Sequence, residues 1–192
     1  APVSWAPRPM SIWMSPRPDT SWPPCPLPVP AAGSGTGLRL RSWQRDDSPA
    51  LAAAWADPEL RRWLEPPGED LEAAASWIAG EGARRDAGLA LDLVIELDGA
   101  IVGEVGLWRF DAARRACLVG YWVGADHRGR GIGATALTVL GSFFAEELGG
   151  MAMIAECNRA NPASCRTAEA AGFQLLDHRD EVSVYVWRRP GR

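Results

Sequence analysis

The chain has 192 residues, 47% of them hydrophobic, and a formal net charge of −4; this supplies one ordinary globular core and gives no support for nucleic-acid binding. No apolar run nears the ~18 residues of a membrane-spanning helix, so no membrane partner is expected. The four cysteines, Cys25, Cys117, Cys157 and Cys165, have neither zinc nor redox-motif spacing, which points to a reducing, cytoplasmic setting without a metal or a disulfide framework.

Ten of the 16 prolines fall in residues 1–30. Proline lacks a backbone donor and disfavours helix and sheet, so residues 1–37 read as a Pro-rich tail, disordered or extended, ending in a Gly/Ser linker. No basic start leads into an apolar run, so the tail is not a secretory signal. Trp5, Trp13 and Trp22 leave two readings open: a dispensable extension, or a segment that docks onto the body or a partner. Residues 38–192 are expected to form the single folded domain.

From Leu38 the pattern becomes regular. "LRLRSW" alternates as a strand. "DDSPALAAAWADPELRRWL" reads as a helix with Ser48 as N-cap and Pro49 at its first position. "EDLEAAASWIAGEGARRDAG" reads as a second helix closed near Gly88. "LALDLVIEL" and "AIVGEVGLWRF" are strands joined by Asp98-Gly99, a type I′ hairpin signal. "ACLVGYWVG" is a further strand. After a glycine-rich turn, Leu137, Leu140, Phe144 and Leu148 recur at three- and four-residue intervals, one face of a helix. "MAMIAEC" is a buried strand, Asn161 and Pro162 open a helix that runs to Gly172, and "FQLL" and "VSVYVW" finish the sheet. The order is β-α-α-β-β-β-α-β-α-β-β, a mixed α/β sheet with helices packed on it.

Three glycines and two arginines crowd the stretch His127-Arg128-Gly129-Arg130-Gly131-Ile132-Gly133. A glycine-rich turn from strand to helix aims backbone N–H groups at one spot, and the helix N-terminus adds partial positive charge. Arg128 and Arg130 add full charges suited to phosphate oxygens. The physical reading is a diphosphate cradle; the plainer reading is a tight connection. The P-loop is excluded, because Ala134-Thr135 follows and the chain has no lysine. A dinucleotide fingerprint is excluded because the strands before the turn form hairpins rather than a first βαβ unit.

Arg128-Gly129-Arg130-Gly131-Ile132-Gly133 resembles the acyl-CoA signature R/Q-x-x-G-x-G/A of the GNAT superfamily of N-acetyltransferases. "NRANPASCRTAEAAGF" resembles the N-x-x-S-x-R…GF segment of its ribosomal-protein N-terminal acetyltransferase branch, with Asn161, Ser164, Arg166, Gly172 and Phe173 at the matching positions. "VGYWVGADHRGRGIG" and "DPELRRWL" also look like that branch. The resemblance spans about Leu38 to Arg189. It implies a mixed, partly parallel seven-stranded sheet flanked by helices, splayed between its fourth and fifth strands, with acetyl-CoA as cosubstrate. The pantetheine arm would lie in the splay against the main chain near Val123. The diphosphate would sit on Gly129, Gly131, Gly133 and Ala134, within a cofactor-binding set that also includes Arg128, Arg130, Ile132, Asn161 and Arg166.

The implied chemistry is attack of an amine on a thioester, which needs a neutral amine, a polarised carbonyl and a proton for the leaving thiolate. A backbone N–H near Val123 would polarise the carbonyl. Ser164 would supply the proton, or would only cap its helix. Glu104, in an apolar strand, would serve as base if it faced the acceptor; otherwise it needs a buried partner. Tyr121 would pack or hydrogen-bond near the thioester. Glu181 is a poorer base candidate, and His127 and His178 are expected at the surface. The acceptor would lie against the first two helices, near Trp55, Trp63, Glu65, Glu69, Asp70 and Glu72. These carboxylates would either attract a cationic amine or simply solvate helix starts. The implied function is acetyl transfer to a primary amine, with a peptide N-terminus as the leading acceptor. The alternatives are a small amine or aminoglycoside, or a catalytically weak acyl-CoA-binding module. The implied protein is a monomer or homodimer.

Overall fold

The computed structural model describes residues 3–4, 22–30 and 37–191. Its elements, in chain order, are β1 (Val3–Ser4), β2 (Leu38–Ser42), α1 (Ser48–Trp55), α2 (Pro58–Arg61), β3 (Leu64–Glu65), α3 (Leu71–Ala79) and α4 (Glu81–Asp86). There follow β4 (Ala90–Leu97), β5 (Ala100–Asp111), β6 (Ala116–Val123), α5 (Ile132–Glu146), β7 (Ala152–Asn158), α6 (Pro162–Ala170), β8 (Gln174–Arg179) and β9 (Val182–Arg188). Seven strands form one sheet in the order β2-β4-β5-β6-β7-β9-β8, and β1 pairs with β3 apart from it. Every neighbouring pair in the large sheet is antiparallel except β6 and β7. The mixed, partly parallel seven-stranded sheet is therefore as expected.

Local chemistry sets the boundaries. Asp98 and Gly99 both take positive φ (49° and 84°), as a type I′ hairpin between β4 and β5 requires. Each of the two long helices expected early in the chain is broken. The first stops at Trp55 and restarts at Pro58, because Asp57 is extended and its side chain caps the new start by accepting from Glu59 N–H at 2.9 Å. The second breaks at Gly80, between α3 and α4. α1 also begins one residue earlier than expected. Asp47 stands at its N-cap and Ser48 is already helical, since the Asp47 carboxylate is drawn back to Gln44 N–H (2.7 Å) and Arg41.

Helices cover the two faces of the sheet. On one, α5 and α6 pack on Leu91, Leu93, Val105, Leu107, Val119, Met153 and Ala155. The expected stripe Leu137, Leu140, Phe144 and Leu148 is fully in this core, each side chain contributing about 1.5–3 kcal/mol by burial. On the other face, Trp43, Leu51, Trp55, Leu60, Ala74 and Ile78 pack over Val94 and Trp122.

Part of the tail belongs to the body. Trp22 is buried, its Nε1–H donates to the Leu148 carbonyl at 2.6 Å, and its ring meets Phe110 and Phe144 edge-on at 5.6 and 6.1 Å. Leu27 is buried and its N–H bonds the Arg85 carbonyl at 3.2 Å. The expected boundary at residue 37 therefore does not mark where packing starts, because two large apolar side chains upstream complete the core. Of the two readings of the tail tryptophans, docking holds for Trp22; Trp5 and Trp13 lie outside the described residues.

Candidate active site

The parallel ladder between β6 and β7 runs only from Ala116↔Ala152 to Val119↔Ala155. Beyond it each strand follows its antiparallel partner: β6 stays with β5 to Gly103↔Val123, and β7 stays with β9 to Asn158↔Val182. The two strands therefore part, and the main chain of Gly120–Val123 loses its partner on that side. Gly120 is required at this point, since a Cβ there would lie 2.5 Å from the Trp108 ring.

A hydroxyl pair spans the splay. The Tyr121 hydroxyl donates to the Ser164 carbonyl at 2.7 Å and lies 3.0 Å from Ser164 Oγ. Ser164 Oγ in turn donates to Cys157 Sγ at 3.4 Å. Burial pushes the Tyr121 phenol well above its usual value and the Cys157 thiol up to about 11, so both hold their protons at neutral pH. Helix α6 is capped by Asn161, whose Oδ1 accepts from Ser164 N–H at 3.1 Å. The Ser164 hydroxyl is thus not the cap and is turned toward the splay.

The glycine turn is built as expected. Gly129 and Gly131 take φ of 73° and 75°, a conformation that costs other residues about 1–2 kcal/mol. Gly131 is the N-cap of α5. The first helical bond of α5 is Thr135 N–H to Gly131 O at 3.0 Å, so the amides of Ile132, Gly133 and Ala134 precede it and point out of the helix start. A Cβ on Gly133 would meet Thr167 at 3.0 Å, with Val123 and Tyr121 at 3.6 and 3.8 Å. The helix start therefore packs directly beside the splayed end of β6.

The arginines of the turn differ. Arg128 Nε donates to the Val123 carbonyl at 2.9 Å, and its Nη2 reaches Asp57 Oδ2 at 2.5 Å. Two of its five N–H donors are thus engaged by protein, beside the phosphate role expected of it. Arg130 and Arg166 are exposed and form no ion pair among the described residues.

Glu104 is not brought to the hydroxyl pair. It stands opposite Trp122 in the β5–β6 register and so points to the α1–α4 face, whereas Tyr121 points to the α5–α6 face. Its carboxyl is buried and lies against Asp92, Arg84 and the Trp43 and Trp122 indoles. Burial first, then the Asp92 charge, push its pKa well above the usual carboxylate range. Asp92, also buried, is raised by burial despite its bonds to Arg84 at 3.0 and 3.1 Å. Glu104 lines neither of the two clefts described below, and its surroundings supply the buried partners that one of its two readings required.

The acceptor-side expectation is also redistributed. Trp55 is core, Glu69 pairs with Arg61, and Asp70 caps α3 through Ala73 N–H at 2.8 Å. An open cleft of about 590 Å³ at the end of β7 is lined by Arg62, Trp63, Asn158, Arg159, Ala160, Asp180 and Glu181. Its far wall comes from the β7–α6 and β8–β9 loops. Arg159 is fixed there by N–H to Glu181 O at 2.7 Å, and Asp180 turns the chain at φ 50°. Of this set, Trp63 and Glu181 were legible as candidates; Arg62, Arg159 and Asp180 were not. A smaller cleft of about 340 Å³ lies between α1–α2 and the end of β6, lined in part by Asp57, Trp122 and Arg128. His127 lines this second cleft and is half-buried rather than at the surface, while His178 is exposed with Nδ1 3.0 Å from Ser183 Oγ.

Residues 37–174 match the family described as "Acetyltransferase (GNAT) domain". No curated protein sequence matches the chain. Among solved structures, RimJ of Mycobacterium smegmatis in complex with CoA-disulfide is 22% identical with a TM-score of 0.70, over 79% of this chain and 81% of that one. Spermidine N-acetyltransferase from Vibrio cholerae, in complex with CoA and spermine, is 17% identical with a TM-score of 0.70, over 80% and 96%. The Microcin C7 self-immunity acetyltransferase MccE, with acetyl-CoA and AMP, is 19% identical with a TM-score of 0.72, over 84% and 98%. At these identities the structural likeness establishes a common fold.

Proposed function

Since the chain belongs to the acetyltransferase (GNAT) domain family, and is thus an N-acetyltransferase drawing on acetyl-CoA, we propose that its acceptor is the terminal amine of a peptide. The observation that carries this reading is the mixed charge of the open cleft, where Arg62 and Arg159 face Asp180 and Glu181. A polyamine would set its several ammonium groups against two guanidinium groups, which repel them. A peptide end offers one ammonium for the carboxylates, and carbonyls or acidic side chains for the arginines.

The donor fits the other side. The amides of Ile132, Gly133 and Ala134, with the glycines at 129 and 131, hold the diphosphate at the α5 start. Arg130 and Arg166 add exposed positive charge near it, and Asn161 fixes the α6 start. The open edge of β6 from Gly120 to Val123 receives the pantetheine amides, and an N–H there polarises the thioester carbonyl.

In the reaction the amine nitrogen attacks the carbonyl carbon, the C–N bond forms and the C–S bond breaks. Ser164 Oγ gives its proton to the departing sulfur and takes one back from water entering the cleft, while the Tyr121 hydroxyl beside it, which keeps its own proton, holds Ser164 in place. The proton shed by the nitrogen leaves through the cleft to Asp180, Glu181 or water. Residues 38–191 carry all of this machinery, with residues 22–30 as structural support.

An amine panel tests the acceptor. Peptides beginning with Ser, Ala or Met, spermidine, and an aminoglycoside are each mixed with acetyl-CoA, and products are read by intact mass and thiol release. Peptide acetylation at the α-amine is expected. Turnover of spermidine or the aminoglycoside alone would overturn the acceptor and leave the donor site standing.

A further inference from the structure

Arg128 stands at the mouth of the glycine turn, where a phosphate ligand would be natural, yet two of its donors are directed at protein. Nε holds the Val123 carbonyl at 2.9 Å, and Nη2 holds Asp57 Oδ2 at 2.5 Å. The other oxygen of the same carboxylate accepts Glu59 N–H at 2.9 Å and so starts α2. That helix is one turn long, far below the ~12–15 residues at which an isolated helix becomes even marginally stable in water. Its order depends on its cap and on whatever the cap is fastened to. It leads directly to Arg62 and Trp63, which line the acceptor cleft, and Trp63 Nε1–H folds back on Glu59 at 3.1 Å.

We propose that Arg128 and Asp57 form a latch between the two substrate sites. Arg128 fastens α2 to the end of β6, so that ordering of the turn by the donor also sets Arg62 and Trp63 for the acceptor. Both are positioning residues; neither touches the reacting atoms. The Arg128 side chain is 36% exposed and that of Asp57 21%, and an ion pair this open to solvent adds little to global stability. Its effect belongs to the register of α2 rather than to the melting point. The inference rests on the donor assignment and not on which amine is the acceptor.

The test uses Asp57→Asn, which keeps an excellent N-cap while removing the charge, and Arg128→Gln. Amide exchange of residues 58–65 is followed with and without CoA, and the CoA Kd is measured by calorimetry. In the parent protein CoA is expected to slow exchange in that segment by about fivefold, and in either variant by less than about twofold. The CoA Kd stays within about threefold in both variants. The KM for a serine-initiated hexapeptide rises about tenfold in each, with the double variant no worse than the singles. Protection that persists in Asp57→Asn, or that is absent in the parent protein, overturns the latch. A CoA Kd raised more than about tenfold by Arg128→Gln alone would make Arg128 a phosphate ligand instead. Failure of the parent protein to bind CoA would overturn the donor assignment itself.

Discussion

The two faces of the central sheet bury polar groups in opposite ways. On the α5–α6 face the half-buried Tyr121 and Ser164 lie at the edge of an apolar core and open onto the splay, where strand pairing has stopped. On the α1–α4 face Asp92 and Glu104 are sealed among tryptophans, with Arg84 as the cation between them. Farther along that face Glu96 bonds both Arg39 and Arg41 at 2.6 Å, and these two bonds hold its pKa below the usual range. Both faces shift pKa values strongly, yet Tyr121 and Ser164 open onto the splay while Asp92 and Glu104 line neither cleft. Perturbation by burial marks a costly group, and access decides whether that group does chemistry.

The sharpest way to break this contrast is to fill the open side. Gly133→Val would push a side chain between Val123, Tyr121 and Thr167 and is expected to weaken acetyl-CoA binding more than about 100-fold, read by calorimetry. Retained binding would move the donor site elsewhere. Next, Ser164→Ala is expected to lower kcat about 10²-fold with the acetyl-CoA Kd near the parent value. Loss of stability without loss of rate would reduce Ser164 to packing.

Removing residues 1–36 strips Trp22 and Leu27 from the α5–α6 face. At about 3–5 kcal/mol for a buried tryptophan alone, the melting temperature is expected to fall by roughly 10 °C, with the acetyl-CoA Kd changed less than about twofold.

On the sealed side, Glu104→Gln is expected to leave kcat within about threefold and to change the pH dependence of stability. The folded pKa of Glu104 is raised, so above its ordinary value of 4.5 the native state holds a proton that the unfolded chain has released. Stability then falls as pH rises, at up to about 1.4 kcal/mol per pH unit per proton. Glutamine removes this dependence, and the decline in urea midpoint above pH 5 becomes shallower. A hundredfold fall in kcat would restore Glu104 as the base. The smallest effect is expected for Arg130→Ala: a rise of about threefold in CoA Kd at low salt that fades at high salt.

Much of the fold was legible because the signals were local. Alternation marked the outer strands and continuous apolar runs the inner ones, Asp98-Gly99 marked the hairpin, and Asn161-Pro162 marked the start of α6. The glycine turn proposed for the donor was legible for the same reason, its glycines lying within a few residues of each other. The cleft proposed for the acceptor was not. Arg62, Arg159 and Asp180 meet only through tertiary structure, and no local pattern distinguishes them from other surface charges. Asp57 read as one more residue inside a helix, while its partner Arg128 lies 71 residues away. Glu104 was ambiguous because a lone carboxylate in an apolar strand has the same sequence signature whether it faces a substrate or a sealed pocket of indoles.

In mechanical terms the sheet is two plates, β2-β4-β5-β6 and β7-β9-β8, joined by a weld four register pairs long. The seams inside the plates are longer, eight pairs between β4 and β5 and seven between β7 and β9. A load applied across the sheet concentrates on the weld. The helices α5 and α6, packed across both plates, brace that weld, so the width of the gap at the free end of β6 is set by how they seat on the two sides.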